Sequence, residues 1–255
     1  NLSTTPLQQL EIAPLATVLI SAILLVAGLL VMVRPWLPVD GPEFTSIFQG
    51  SVRFNSYVGL AVVIALKIPS GLTLAAVALA AMIPLINLLC VVILAHHASS
   101  GPTRWQNIVQ ALIRNPLIVA CVIGILINWT GFQVPVILQQ TLEIVGRAAL
   151  PLGLLAVGAG LCFNEMTRGA RSLLISMVIK LLLFPLLTWL MCHIFQLDAQ
   201  ATMIAVLFTA VPTATSSYIL ARQMGGDYTL MANIITLQTV MAAVTLPLVL
   251  TGLTG

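Results

Sequence analysis

The chain has 255 residues, of which AVILMFWYC make up 60% and DEKR only 7%, and its formal net charge is +3. A soluble domain carries about a quarter charged residues, so this composition cannot cover a water-facing surface, and the mean hydropathy of +1.10 points to lipid. The ten basic residues are scattered, with no patch to follow a phosphate backbone, which excludes a nucleic-acid partner.

A membrane span needs roughly 20 mostly apolar residues. In chain order the qualifying stretches are 13–33, 45–66, 71–95, 107–128, 135–163, 171–194, 200–222 and 228–252. Short connections rich in charge, Pro and Gly separate them, and no strand-like alternation appears, so an all-α polytopic fold is expected. The whole of 1–255 then forms a single transmembrane domain. Cys90, Cys121, Cys162 and Cys192 sit singly in apolar runs without CxxC spacing. They read as small core residues, and no metal site or cofactor is expected. Connections after odd-numbered spans carry Arg34, Arg104, Arg168, Arg171 and Arg222, whereas those after even-numbered spans carry only Lys67. The positive-inside rule puts the Arg-rich connections in the cytoplasm and both ends of this chain outside.

Two spans are poor membrane anchors. The second, 45–66, holds Gly50, Ser51, Arg53, Asn55, Ser56 and Tyr57 at mid-depth. The seventh, 200–222, holds Thr209, Pro212, Thr213, Thr215, Ser216, Ser217 and Tyr218. Pro212 removes a backbone donor and clashes with the preceding turn. Irregular backbone at such depth survives only where protein or a wet cavity satisfies it. These spans therefore read as a pair of broken helices around a central site; the plainer alternative is Ser and Thr bonding back to their own helix. Ser56-Tyr57 and Ser217-Tyr218 occupy similar places, and each broken span precedes a long apolar one with Asn and Pro, Asn87 with Pro84 and Asn233 with Pro247. The two stand five places apart in span order, an odd number, so the second copy enters inverted, the pattern of secondary transporters.

The stretches RNPLIVACVIGILIN (114–128), ALPLGLLAVGAGL (149–161), VIKLLLFPLL (178–187) and AVPTATSSYILARQMGGD (210–227) together resemble the auxin efflux carrier family. That family includes plant PIN-type exporters and bacterial permeases for malonate and related acids, and the bacterial branch is the more similar. The resemblance implies ten helices in two inverted five-helix repeats, the fourth and ninth broken where they cross. On that pattern 13–95 is the remainder of the first repeat with its crossover at 45–66, and 107–252 is the second with its crossover at 200–222. About eight of ten helices are then present, and a chain starting at Asn1 reads as a fragment or a trimmed form. The resemblance also implies a bacterial inner-membrane location and a homodimer formed through the scaffold half.

The resemblance places the substrate site at the two crossings. Asn55 matches the first; its amide suits an organic anion, or it caps a half-helix. Ser51, Arg53 and Tyr57 accompany it. Arg53 either grips a carboxylate with two hydrogen bonds or snorkels to the membrane face. Pro212, Thr213, Thr215, Ser216 and Ser217 match the second crossing, where freed N–H groups form a positive pole for an anion. Lys180, deep in the sixth span, is a counter-charge or a proton-cycling substitute for a coupling cation, or else a partner to exposed carbonyls. Glu143 and Arg147, four apart, pair on one helix face, or Glu143 takes part in proton coupling. His96 and His97 are expected in a loop. The leading expectation is a secondary carrier of small organic anions working by alternating access, with proton or sodium coupling. A sodium-coupled symporter of the bile-acid type is the near alternative, although 45–66 and 200–222 contain no acidic residue. A non-transporting scaffold or incomplete fragment is the alternative from another class. An intramembrane enzyme is disfavoured because the His residues lie near membrane surfaces and no DDxxD pair occurs.

Overall fold

The computed structural model describes residues 12–98, 134–159 and 169–254, with single positions at 119, 123, 127 and 130. The expected span 107–128 therefore lies outside the described residues, apart from three of those positions, as do 160–163 of the fifth span. Among the described residues every regular element is helical. Helix α1 is Ile12–Val33, α2 is Gly41–Val52, α3 is Ser56–Leu66, α4 is Gly71–His97 and α5 is Val136–Ala159. Helix α6 (Ala170–Val178) passes through a π-helical turn, Ile179–Leu183, into α7 (Phe184–Ile194). Helices α8 (Ala199–Ala210), α9 (Ser216–Met224) and α10 (Tyr228–Thr254) complete the chain.

Ile12–Trp36, Gly41–Leu66, Gly71–His97, Ala170–Ile194 and Tyr228–Gly252 are long and apolar enough to cross a membrane. The protein is an all-α polytopic membrane protein, as the composition requires. Its helix ends follow from local chemistry. Asp40 caps α2 by accepting from the Glu43 N–H at 2.8 Å, with Pro42 in the first turn. Asp198 caps α8 through the Ala201 N–H, and Asp227 accepts from the Leu230 N–H at the start of α10. Helix α9 stops at Gly225, which takes φ 81°. His96 and His97 are not in a loop: apolar residues continue the α4 pattern to its end, and the His97 ring packs 5.0 Å from Phe44.

The core runs along the middle of the bundle. Helix α1 buries Leu15, Leu19, Ile23 and Leu30, and α4 buries Leu74, Ala78, Met82 and Cys90. Two ends of the bundle are identified by contacts. At one, the Asp227 N–H donates to the Pro42 carbonyl and the Ser172 hydroxyl to Glu43. At the other, Lys67 and Pro69 share a groove with Gln200 and Leu250. Helix α2 enters from the first end and α8 from the second. Both stop halfway, and α3 and α9 carry their chains on.

Candidate functional site

The two interrupted helices meet at the buried centre. Helix α2 ends at Val52, and Arg53 is extended at φ −72°, ψ 156°. Helix α8 ends at Ala210, and Val211 is extended at φ −64°, ψ 149°, as the residue before a proline tends to be. Across the gap the Asn55 N–H donates to the Pro212 carbonyl at 2.8 Å. The Thr213 hydroxyl donates to the Gly50 carbonyl at 2.7 Å. Gln238 of α10 holds both segments: its amide NH₂ donates to the Gly50 carbonyl at 2.9 Å and the Ser176 hydroxyl at 3.1 Å, and its oxygen accepts from the Thr213 N–H. A Cβ on Gly50 would overlap the Ser176 hydroxyl and come within 2.7 Å of Ile234, so only glycine lets α2, α6 and α10 approach this closely. The Phe54 and Phe208 rings pack edge-on, with centroids 5.8 Å apart, and seal one side of the crossing.

The residues singled out by sequence do not all share one place. Asn55 caps α3, its oxygen accepting from the Tyr57 and Val58 N–H groups at 3.1 and 3.3 Å. Arg53 does not snorkel: it is 5% exposed, and one Nη donates to the Ser216 hydroxyl at 3.1 Å while the other has no hydrogen-bond partner among the described residues. With Pro212, Thr213 and Ser216 these residues form one cluster. Thr215 precedes α9 without a side-chain cap, and the Ser217 hydroxyl is buried and unpartnered. Ser51 bonds back to the Ile47 carbonyl, and Tyr57 is an exposed side chain on α3. Glu143 is exposed on α5, and the side chain of Arg147 lies outside the described residues.

Lys180 is fully buried on the π-helical turn, one turn beyond Ser176. Its Nζ has no hydrogen-bond partner and lies 4.9 Å from the Phe184 ring centroid, a cation–π contact. Such turns widen a helix and recur at functional positions. Gln49 is also fully buried, and both ends of its amide lack partners. Buried polar groups are normally satisfied, and among the described residues Arg53, Lys180, Gln49 and Ser217 keep unused hydrogen-bonding capacity, with Arg53 alone of the four lining the cavity at the crossing.

A cavity of about 50 Å³ lies against the two breaks. Arg53, Ser56, Asn87 and Ser216 supply its polar wall, and Phe54 and Ile86 part of its apolar wall. Asn87 shows in the sequence as a repeat feature and not as a site residue, a lone amide in an apolar stretch; Gln49, Ser176 and Gln238 stand among other polar residues and carry no such mark. A wider recess of about 330 Å³ opens at the first end beside Asp40, Glu43 and Asp227. Those acids are engaged as helix caps and by the Ser172 hydroxyl.

Two comparisons bear on this geometry. A family described as "Membrane transport protein" matches residues 105–250, more than half of the chain. A protein of Rhizobium meliloti (strain 1021) named "Putative malonate transporter" is 27% identical over 169 residues, which is 61% of this chain and 53% of that protein. The chain thus spans about half the length of the curated relative it matches.

Proposed function

Since the chain belongs to the membrane transport protein family, that of the auxin efflux carriers, we propose that the protein is a secondary carrier of small organic anions. Malonate and related carboxylates are the proposed substrates, and the site lies where the two broken helices cross. The observation that carries this reading is the buried meeting of two unwound segments, joined by the Asn55 N–H and the Pro212 carbonyl, beside a buried arginine with one free Nη. Unwound backbone and half-helix N-termini at bundle mid-depth offer dipoles to an anion without a water-exposed surface. We read α2–α3 and α8–α9, which traverse the bundle in opposite directions, as the crossovers of two inverted repeats, 13–95 and 107–252. Rocking of the crossing against a scaffold half, through which the protein pairs, would open it to each side in turn. The proposed setting is a bacterial inner membrane, with the Arg-rich connections in the cytoplasm.

The direct test is uptake and efflux of labelled malonate, malate, lactate and indole acetate by the full-length protein in proteoliposomes, with Asn55→Asp beside it. Aspartate caps a helix as well as asparagine does, so α3 keeps its start while a carboxylate enters the crossing. Transport should collapse while the protein stays folded. Undiminished transport by Asn55→Asp would remove the crossing as the site, and no transport of any acid by the wild type would remove the carrier reading.

Lys180 is the proposed counter-charge and the group through which a proton gradient acts. Holding a buried ammonium without a hydrogen-bond partner costs several kcal/mol of desolvation, which an apolar side chain of similar volume avoids. Lys180→Met should therefore raise the thermal midpoint in detergent and abolish the response of transport to a proton gradient. A destabilised Lys180→Met protein that still responds to the gradient would assign the lysine a purely structural role.

A further inference from the structure

Four features at the crossing converge on one ligand chemistry. Arg53 is nineteen-twentieths buried, and its second Nη has no hydrogen-bond partner among the described residues. Among the described residues no carboxylate lines the cavity beside it, so its charge is not cancelled there. Ser216 stands at the start of α9, whose first turn has no side-chain cap; the Ser217 and Tyr218 N–H groups bond to the Ala214 and Thr215 carbonyls, so the helix start adds the Ser216 hydroxyl and a residual positive pole at the same point. Asn87, 3% exposed, reaches the cavity from the opposite helix α4 with an amide able to donate.

Resting on the carrier reading above, we infer that Arg53, Ser216 and Asn87 form a seat for a single carboxylate, and that the crossing therefore selects substrates bearing one negative charge. Charge sets that limit. The cavity of about 50 Å³ has room for more than one water and takes a carboxylate group. A second ionised carboxylate would lie against Phe54, Ile83 and Ile86, with no second cation among the cavity residues. Desolvation of an unpaired buried charge outweighs what a distant partner returns. Short monocarboxylates fit the seat fully ionised, and a short dicarboxylate fits as its hydrogen form. Asn87 is then a specificity residue: it donates to the carboxylate oxygen that Arg53 does not hold.

The experiment is inhibition of labelled lactate uptake by unlabelled lactate and malonate, at acidic and neutral pH, in proteoliposomes of the full-length protein. The ratio of the two inhibition constants at each pH cancels any effect of pH on the transport cycle itself. Malonate should gain on lactate as pH falls, in proportion to its monoanion. A malonate:lactate ratio that is the same at both pH values would overturn charge selection. Arg53→Gln should raise the lactate KM roughly 30-fold or more, Arg53→Lys should recover part of that, and Asn87→Leu should raise it less. Unchanged KM in Arg53→Gln, in a wild type that does transport, removes the seat and leaves the carrier reading intact. Where Arg53→Gln does not fold, Ser216→Ala and Asn87→Leu decide in the same way. A wild type that transports no acid defeats the carrier reading, and thermal stabilisation of the purified protein by acetate then tests the seat alone. Stabilisation lost in Ser216→Ala or Asn87→Leu supports the seat, and none in the wild type overturns it.

Discussion

At 211–215 the helix stops for a reason written in the chain. Pro212 lacks the N–H that would bond back to Phe208, and it forces Val211 into extended backbone at ψ 149°. At 53–55 there is no proline, yet Arg53 turns out at ψ 156° just as sharply. Here the helix is undone from outside. The Gly50 carbonyl, which a continuing helix would offer to the Phe54 N–H, is taken by the Thr213 hydroxyl and the Gln238 amide. The Asn55 N–H, which would turn back to Ser51, goes to the Pro212 carbonyl. The second break thus serves as a template for the first. One proline interrupts two helices, the other one through its free carbonyl and its neighbour Thr213.

The sharpest way to separate the two breaks is to remove the clasp. Gln238→Leu strands the buried Thr213 N–H and takes a donor from Ser176 and Gly50. At about 1–3 kcal/mol for each stranded buried group, a loss of roughly 2–4 kcal/mol is expected, read as a lower unfolding midpoint in detergent. Amide exchange should rise at 50–55, while Val211, whose N–H bonds to Leu207 within its own helix, stays protected. An unchanged midpoint would mean that the first break needs no tertiary support.

A smaller effect is expected from Gly50→Ala, which thrusts a methyl at the Ser176 hydroxyl and Ile234. Overpacking of this kind costs about 1–3 kcal/mol. Because Ser176 is one of the two obstacles, Ser176→Gly in the same chain should return part of the loss, and a double-mutant cycle reads the coupling. Additive effects would place the strain elsewhere.

This asymmetry also explains what could be read from the residues alone. The spans were legible because lipid demands long apolar runs, and α1, α4 and α10 have them. The 211–215 break was legible because proline acts on its own neighbours. The 53–55 break showed only as polar residues at the wrong depth; the groups that take its backbone bonds are Pro212, Thr213 and Gln238, some 160–190 positions along the chain. No local pattern marks Gln238 as a clasp or Ser176 as the wall against Gly50. Asn55 was read as either ligand or cap, and the observed cap on Tyr57 and Val58 is compatible with both, since its backbone N–H serves the crossing separately. Arg53 was open between membrane face and substrate, and its burial against Ser216 came from α9 folding back on α2.

The mildest change should come from the most conspicuous residue. Pro212→Ala supplies an N–H and relieves the clash, so the local cause of the break disappears. For α8 to run on into α9, however, Thr213 would have to leave Gln238 and Gly50, and the carbonyl of residue 212 would have to leave Asn55. One regained helix bond, worth about 0.5–1.5 kcal/mol, does not offset three bonds at a buried site. The break should outlast its cause, and stability should change by no more than about 1 kcal/mol, mainly through the freer unfolded chain. Unfolding in detergent measures the size of that change, and amide exchange at Thr213 reports whether its bond to Gln238 persists. A raised midpoint together with lost exchange protection at Asn55 would show a continuous helix instead. In that event proline alone would hold both breaks, and the clasp would be secondary.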